Sequence, residues 1–210
     1  MPNWCSNNIS IEGPKDKITA LWESATANDG RLLNAMVPMP QALRETTSPT
    51  PQPGYAGYKG PQPVVDGVDN WYDWAVKFWG TKWDVDVTEG CLLSEDGTRI
   101  SGWMETAWAP PLEAFQTYIE NNDDVSIRCS YFEGGCDFAG VWTDGADEGI
   151  SPSDYTAKDF LEADRDSLIG LLDEEFGIGE TMAEYEEIEA EENRRDEKNG
   201  VYPEHEDVAN

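Results

Sequence analysis

The Thr81-Lys82-Trp83-Asp84 run is where this sequence offers a ligand the most. Lys82 is one of only nine basic residues in the first 150, against 23 acidic ones. An ammonium in such a field either pairs with Asp84 or Asp86 or contacts an anionic ligand group. Neighbouring indoles then supply a stacking face, and Trp79 and Trp108 are the candidates. Asn7, Thr106 and Trp108 converge on the cluster if the first strand lies beside it in the sheet. The candidate ligand or partner site is therefore Asn7, Trp79, Thr81, Lys82, Trp83, Asp84, Thr106 and Trp108. Core packing competes for the same tryptophans, because each large ring buries about 150–250 Å².

Other chemistries lack their residues. The single histidine, His205, lies near the acidic end, so a Ser-His-Asp or Cys-His arrangement has no base. Zinc sites built on His and Cys are unsupported, and no phosphate-binding loop or dinucleotide fingerprint occurs. The Gly-Ile-Gly at 177–179 lacks its third glycine and a preceding strand. Asp84 with Asp86 is the one carboxylate pair to consider for a metal, against a solvated or salt-bridged face. The chain reads as a non-enzyme without a cofactor.

Charge narrows the partners. The chain carries 43 acidic and 14 basic residues, net −29. Residues 151–210 hold 20 of the acidic and five of the basic ones. A phosphate backbone needs clustered Lys and Arg, so direct nucleic-acid binding is not expected. An acidic surface serves solubility or engages a basic protein. Four scattered cysteines without a CxxC, a secretory leader or a long apolar run point to reduced thiols in the cytoplasm, with no membrane association.

The elements that position the cluster follow from periodicity. SNNISIEG alternates as a strand with Ile9 and Ile11 on one face. Ile18, Leu21, Trp22 and Ala25 give a helix from Lys15 to about Ala27, ended by Asp29-Gly30. Leu32 to Val37 reads as a second strand, closed by VPMP. Residues 44–67 hold five prolines and four glycines and read as a long loop, disordered or acting as a lid through Tyr55 and Tyr58. Asp69 can cap a helix that runs to Trp79 and stops at Gly80, apolar around most of its circumference.

KWDVDV alternates, with Trp83, Val85 and Val87 turned inward and Lys82, Asp84 and Asp86 outward. An Asp96-Gly97 hairpin then sets Leu93 opposite Ile100, Val87 opposite Thr106 and Val85 opposite Trp108, with Gly90 as a bulge. Pro110-Pro111 opens a helix with Leu112, Phe115, Tyr118 and Ile119 inward. Two more strands, VSIRCSY and CDFAGVW, flank Glu133-Gly134-Gly135. The order β-α-β-loop-α-β-β-α-β-β indicates an α+β domain over residues 1–150, a mostly antiparallel sheet with helices on one face. Thr156 to Phe176 reads as a helix docking on that domain, within a segment 151–179. Residues 180–210 form an acidic extension, helical at first, exposed or disordered.

MPNWCSNNISIEG, VPMP, WGTKWD and TAWAPP, in that order, resemble the YubB-type ferredoxin-like proteins of conjugative plasmids and phages. The resemblance covers roughly residues 1–143. It implies a ferredoxin-like fold and a mobile-element origin, without a characterised reaction or an iron–sulfur cluster. Together with the acidic end and the missing catalytic constellation, it leads to the expected function: a non-enzymatic phage or plasmid protein that binds and modulates a host protein through its acidic surface, in counter-defence or host takeover. The alternative is a ligand-sequestering protein that holds a small, anionic, nucleotide-like molecule in a Trp-lined pocket.

Overall fold

The computed structural model describes residues 3–27, 31–55 and 58–199. The chain divides after Ser151 into two compact units. The first contains β1 (Trp4–Glu12), α1 (Lys15–Thr26), α2 (Leu32–Met36), α3 (Trp71–Trp79), β2 (Cys91–Leu93), β3 (Arg99–Ala107), α4 (Leu112–Glu120), β4 (Ser126–Glu133), β5 (Phe138–Thr143) and β6 (Ala146–Ile150). The strands form one open antiparallel sheet in the order β2-β3-β1-β4-β5-β6. This is the α+β architecture expected from the alternating pattern.

Register follows from burying one face. Cys5, Asn7, Ile9 and Ile11 of β1 are buried, and Thr106, Met104, Gly102 and Ile100 of β3 lie opposite them. Cys129 and Ile127 of β4 flank Ile9 and Ile11 on the other side. Ile18, Leu21 and Ala25 of α1 and Phe115 of α4 complete that core. A one-residue slip would carry this whole set to the opposite face. That opposite face bears Ser6, Asn8 and Ser10, with Trp103 paired to Asn8 and Glu105 to Ser6.

Three expectations for this unit are corrected. Residues 32–36 form a helix, not a strand. Leu-Leu-Asn-Ala-Met has no β-branched residue and is rich in helix formers. Its first amides are also satisfied from afar, since Asp84 accepts from Leu33 N (2.8 Å) and Asn34 N (3.0 Å). Asn70, not Asp69, caps α3 by accepting from Asp73 N, while Asp69 holds Thr50 and Asn70. The Asp96-Gly97 hairpin pairs Leu93 with Ile100 as expected, but the ladder ends at Cys91.

KWDVDV accordingly never becomes a paired strand. Asp86 accepts from Thr88 N and Oγ1 and turns the chain toward Gly90, where Trp103 N donates to the Gly90 carbonyl. Val85 and Val87 are buried, but Trp83 is exposed. α1 ends at Thr26, close to the expected Ala27, and Asp29-Gly30 lie outside the described residues.

No regular helix or strand occurs among the described residues of 44–67. The segment is nevertheless tied down. Gln62 bonds Thr47, Thr50 and Asp69, and Thr46 Oγ1 accepts from Trp71 N. Tyr55 and Tyr58 are exposed, and what this loop holds is the start of α3.

The second unit contains a 3-10 turn at Pro152–Asp154, α5 (Ala157–Leu161), α6 (Leu168–Phe176) and α7 (Ile178–Asn199). The single helix expected from Thr156 to Phe176 is two. Thr156 caps α5 through a reciprocal capping box, and Ser167 caps α6 by accepting from Gly170 N. Phe160, Leu172 and Ile178 are buried, while Leu161 is exposed. Beyond Ile178 and Gly179, α7 is highly charged and largely exposed. His205 lies outside the described residues. Among the described residues no helix is long and apolar enough to cross a membrane.

Candidate functional site

Lys82 sits in a cage of three rings. Its Nζ lies 4.2 Å from the Trp83 ring centroid, 5.1 Å from Trp108 and 5.8 Å from Tyr72, all within cation–π range. Tyr72 meets Trp108 edge-on at 6.2 Å, and Trp83 leans on Trp4 at 6.0 Å. No described carboxylate pairs with Lys82, so neither Asp84 nor Asp86 is its counter-ion. The backbone explains the cage. Thr81 Oγ1 donates to the Ala107 carbonyl (2.9 Å), pinning this segment beside the end of β3. Trp108 adopts φ +70°, with its N–H donating to the Asn3 carbonyl. A bulky residue in left-handed geometry costs about 1–3 kcal/mol, and here it sets the indole beside Lys82.

The other predicted site residues have structural work. Asn7 is fully buried, its Nδ2 donating to the Cys5 and Met104 carbonyls and to Thr106 Oγ1. Thr106 Oγ1 donates onward to the Ala109 carbonyl (2.8 Å). Trp79 is buried and gives its indole N–H to the Val37 carbonyl, away from Lys82 and on the wall of a separate cavity. The Asp84 carboxylate takes the amides of Leu33, Asn34 and Val85. Burial pushes its carboxyl above the usual range, outweighing those three amides and the nearby Arg31. The structure thus brings Thr81, Lys82, Trp83 and Trp108 together and assigns Asn7, Thr106, Trp79 and Asp84 to the scaffold.

Two concavities flank the cluster. The first, about 450 Å³, runs along the part of β3 that β2 leaves unpaired. Trp4, Trp83 and Trp103 line it, with Asp86, Glu89 and Glu105 among the same walls and Arg31 at one side. Its indoles are 52%, 38% and 43% exposed. The second, about 750 Å³, has Arg31, Arg44, Asn34, Trp71 and Asp84 on its walls.

Sequence reasoning passed over Trp4, Trp103, Tyr72, Arg31 and Arg44. A signal existed for the first two. Trp4 shares the strand face of Ser6, Asn8 and Ser10, and Trp103 is paired to Asn8 across the sheet. Large indoles on a polar sheet face mark a surface that meets something. Nothing in the spacing unites Arg31 with Arg44.

Two core cysteines, Cys5 and Cys91, are poor nucleophiles at neutral pH. Burial pushes the Cys5 thiol up to about 12 and that of Cys91 up to about 11, so both stay protonated at neutral pH. No group of three His, Cys, Asp or Glu side chains that could hold a metal occurs among the described residues. No family model, curated protein or solved structure matches the chain.

Proposed function

We propose that this chain is a non-enzymatic accessory protein of a phage or plasmid that binds a host protein, gripping a basic segment of that partner in the groove of Trp4, Trp83 and Trp103. The groove itself carries this reading. Three partly exposed indoles share one concavity with Asp86, Glu89 and Glu105, the pairing of aromatic anchors and charge complementarity used by protein interfaces. The neighbouring cage holds an ammonium already, that of Lys82, a local example of how these rings accept a cation.

The strand order supports a ferredoxin-like reading of the first unit. Taken alone, β1-α1-β2-β3-α4-β4 with the order β2-β3-β1-β4 is the split β-α-β arrangement, and β5 and β6 extend it. That agrees with the YubB-type resemblance, from which the mobile-element origin is taken; the host partner rests on the acidic charge together with that context, and the cytoplasmic setting on the scattered cysteines. Such a role needs no catalytic group and no cofactor.

The test uses a labelled oligoarginine peptide. Binding to the full chain should weaken with added salt and drop at least about tenfold in a Trp4→Ala, Trp103→Ala protein, a loss typical of truncated interface anchors. Net charge is unchanged by these substitutions, so diffuse attraction to an acidic protein stays constant. Equal affinity of the two proteins refutes the groove.

A further inference from the structure

We infer that the 750 Å³ cleft beside α2 and α3 is a binding site for a small anion carrying a flat ring, in which Arg31 and Arg44 take the anionic head and Trp71 flanks the ring. The site is a separate concavity from the peptide groove, with Arg31 and Asp84 bordering both.

Charge is the first argument. Only nine basic residues occur in the first 150, and two arginines line this one cleft. Arg31 makes no side-chain hydrogen bond or ion pair to any described residue, although it stands in a chain of 43 acids. Its charge is felt by Asp84 and Asp86, and a guanidinium whose donors meet no described acceptor beside a concavity suits a bidentate ligand.

Preorganisation is the second. Arg44 is held by two acceptors, Nε donating to the Met39 carbonyl (3.3 Å) and Nη2 to Asn34 Oδ1 (3.0 Å). Asn34 is fixed in turn, since the same Oδ1 accepts from Met39 N (3.0 Å). These bonds occupy part of the fork and stiffen it, so less rotamer entropy is lost when the remaining donors engage a ligand.

The apparent objection is Asp84, the one carboxylate among the described residues on the cleft wall, with Asp86 acting on Arg31 from the groove side. The Asp84 oxygens are engaged by the amides of Leu33, Asn34 and Val85, whose dipoles offset its charge. Trp71 supplies the apolar contact. Its backbone N–H donates to Thr46 Oγ1, and its ring meets Tyr72 edge-on at 5.9 Å. The volume lies within the range of sites for mononucleotide-sized ligands. Phosphate and carboxylate heads share this chemistry, and the probes separate them.

Titration calorimetry of the full chain with AMP, adenosine and indole-3-acetate tests the assignment. At least one of the two anions should bind with a Kd below about 1 mM. If AMP is the binder, adenosine should bind at least about tenfold more weakly, the loss expected for a charge-assisted contact. Arg31→Ala should weaken the anion by a similar factor while nearly keeping the wild-type melt, because its side chain makes no hydrogen bond or ion pair to a described residue. Arg44→Lys should also weaken it, since an ammonium lacks the planar fork. Saturable binding of neither anion, adenosine binding as well as AMP, or an affinity unchanged by Arg31→Ala overturns the site.

Discussion

Asp84 holds the chain together at one point that a single substitution can remove. Its carboxylate accepts three amides, those of Leu33 (2.8 Å), Asn34 (3.0 Å) and Val85 (2.9 Å), and so caps α2 from outside the helix. Losing a capping carboxylate costs about 1–2 kcal/mol, and a further half-buried amide without a partner adds about 1 kcal/mol. Asp84→Ala should therefore destabilise the protein by about 2–3 kcal/mol at neutral pH. Asp84→Asn keeps one carbonyl oxygen and should cost about half as much. The acid also carries a pH signature. Burial raises its folded-state value, so the stability tied to its protonated form is fully present below the ordinary carboxylate range and is lost as pH rises through the raised value. The stability gap between wild type and Asp84→Asn should shrink through that window. Urea denaturation of the three proteins at several pH values measures both effects. An Asp84→Ala protein within about 0.5 kcal/mol of wild type would refute the capping role.

Three further outcomes are expected. Lys82→Ala should cost only about 1 kcal/mol by chemical denaturation, the scale of exposed cation–π contacts; a loss of about 3–5 kcal/mol would reveal a buried ion pair instead. Gly90→Ala should cost more than about 3 kcal/mol, because a Cβ there would stand 2.0 Å from the Trp103 carbonyl oxygen, a clash a flexible side chain cannot relieve; a normal melting temperature would show that the β2–β3 approach is not tight. A thiol reagent should label one cysteine of the native protein, the exposed Cys136, and the buried Cys5, Cys91 and Cys129 only after unfolding. Even that one should react more slowly than a free thiol at neutral pH, since its hydrogen bond to Glu133 pushes its pKa up.

Where alternation met a paired neighbour, the sequence was enough. Ile9 and Ile11, Ile127 and Cys129 fall on one face because each strand has a partner on which to bury it. KWDVDV carries the same pattern and forms no strand, since the local Asp86–Thr88 turn redirects the chain toward the approach of Gly90 to β3, which is a tertiary event. Trp83 was therefore placed inward and lies outward. Thr143-Asp144-Gly145-Ala146, by contrast, held a strong local signal for β6 that went unused. Asp144 and Gly145 have positive φ, and Thr143 pairs with Ala146 across a two-residue turn. In the candidate site, Trp108 is expected beside Lys82 and lies there, whereas Trp83, expected on the opposite strand face, and Tyr72 reach the ammonium because the segment forms no strand and α3 packs alongside it.

The remote capping of α2 also orders events in time. Five residues cannot sustain a helix alone, and α2 has no side-chain cap of its own. The carboxylate that serves it lies 51 positions away from Leu33, and bringing such ends together costs on the order of 3.5 kcal/mol of chain entropy before any contact repays it. The turn should therefore appear after the β1–β3–β4 centre has assembled and the 44–67 segment has been gathered in. Substitutions in α2 should then speed unfolding while leaving the refolding rate nearly unchanged. The walls that hold Arg31 and Asn34 would be the last part of the first unit to close and the first to open, giving a small molecule a route into the cleft without global unfolding.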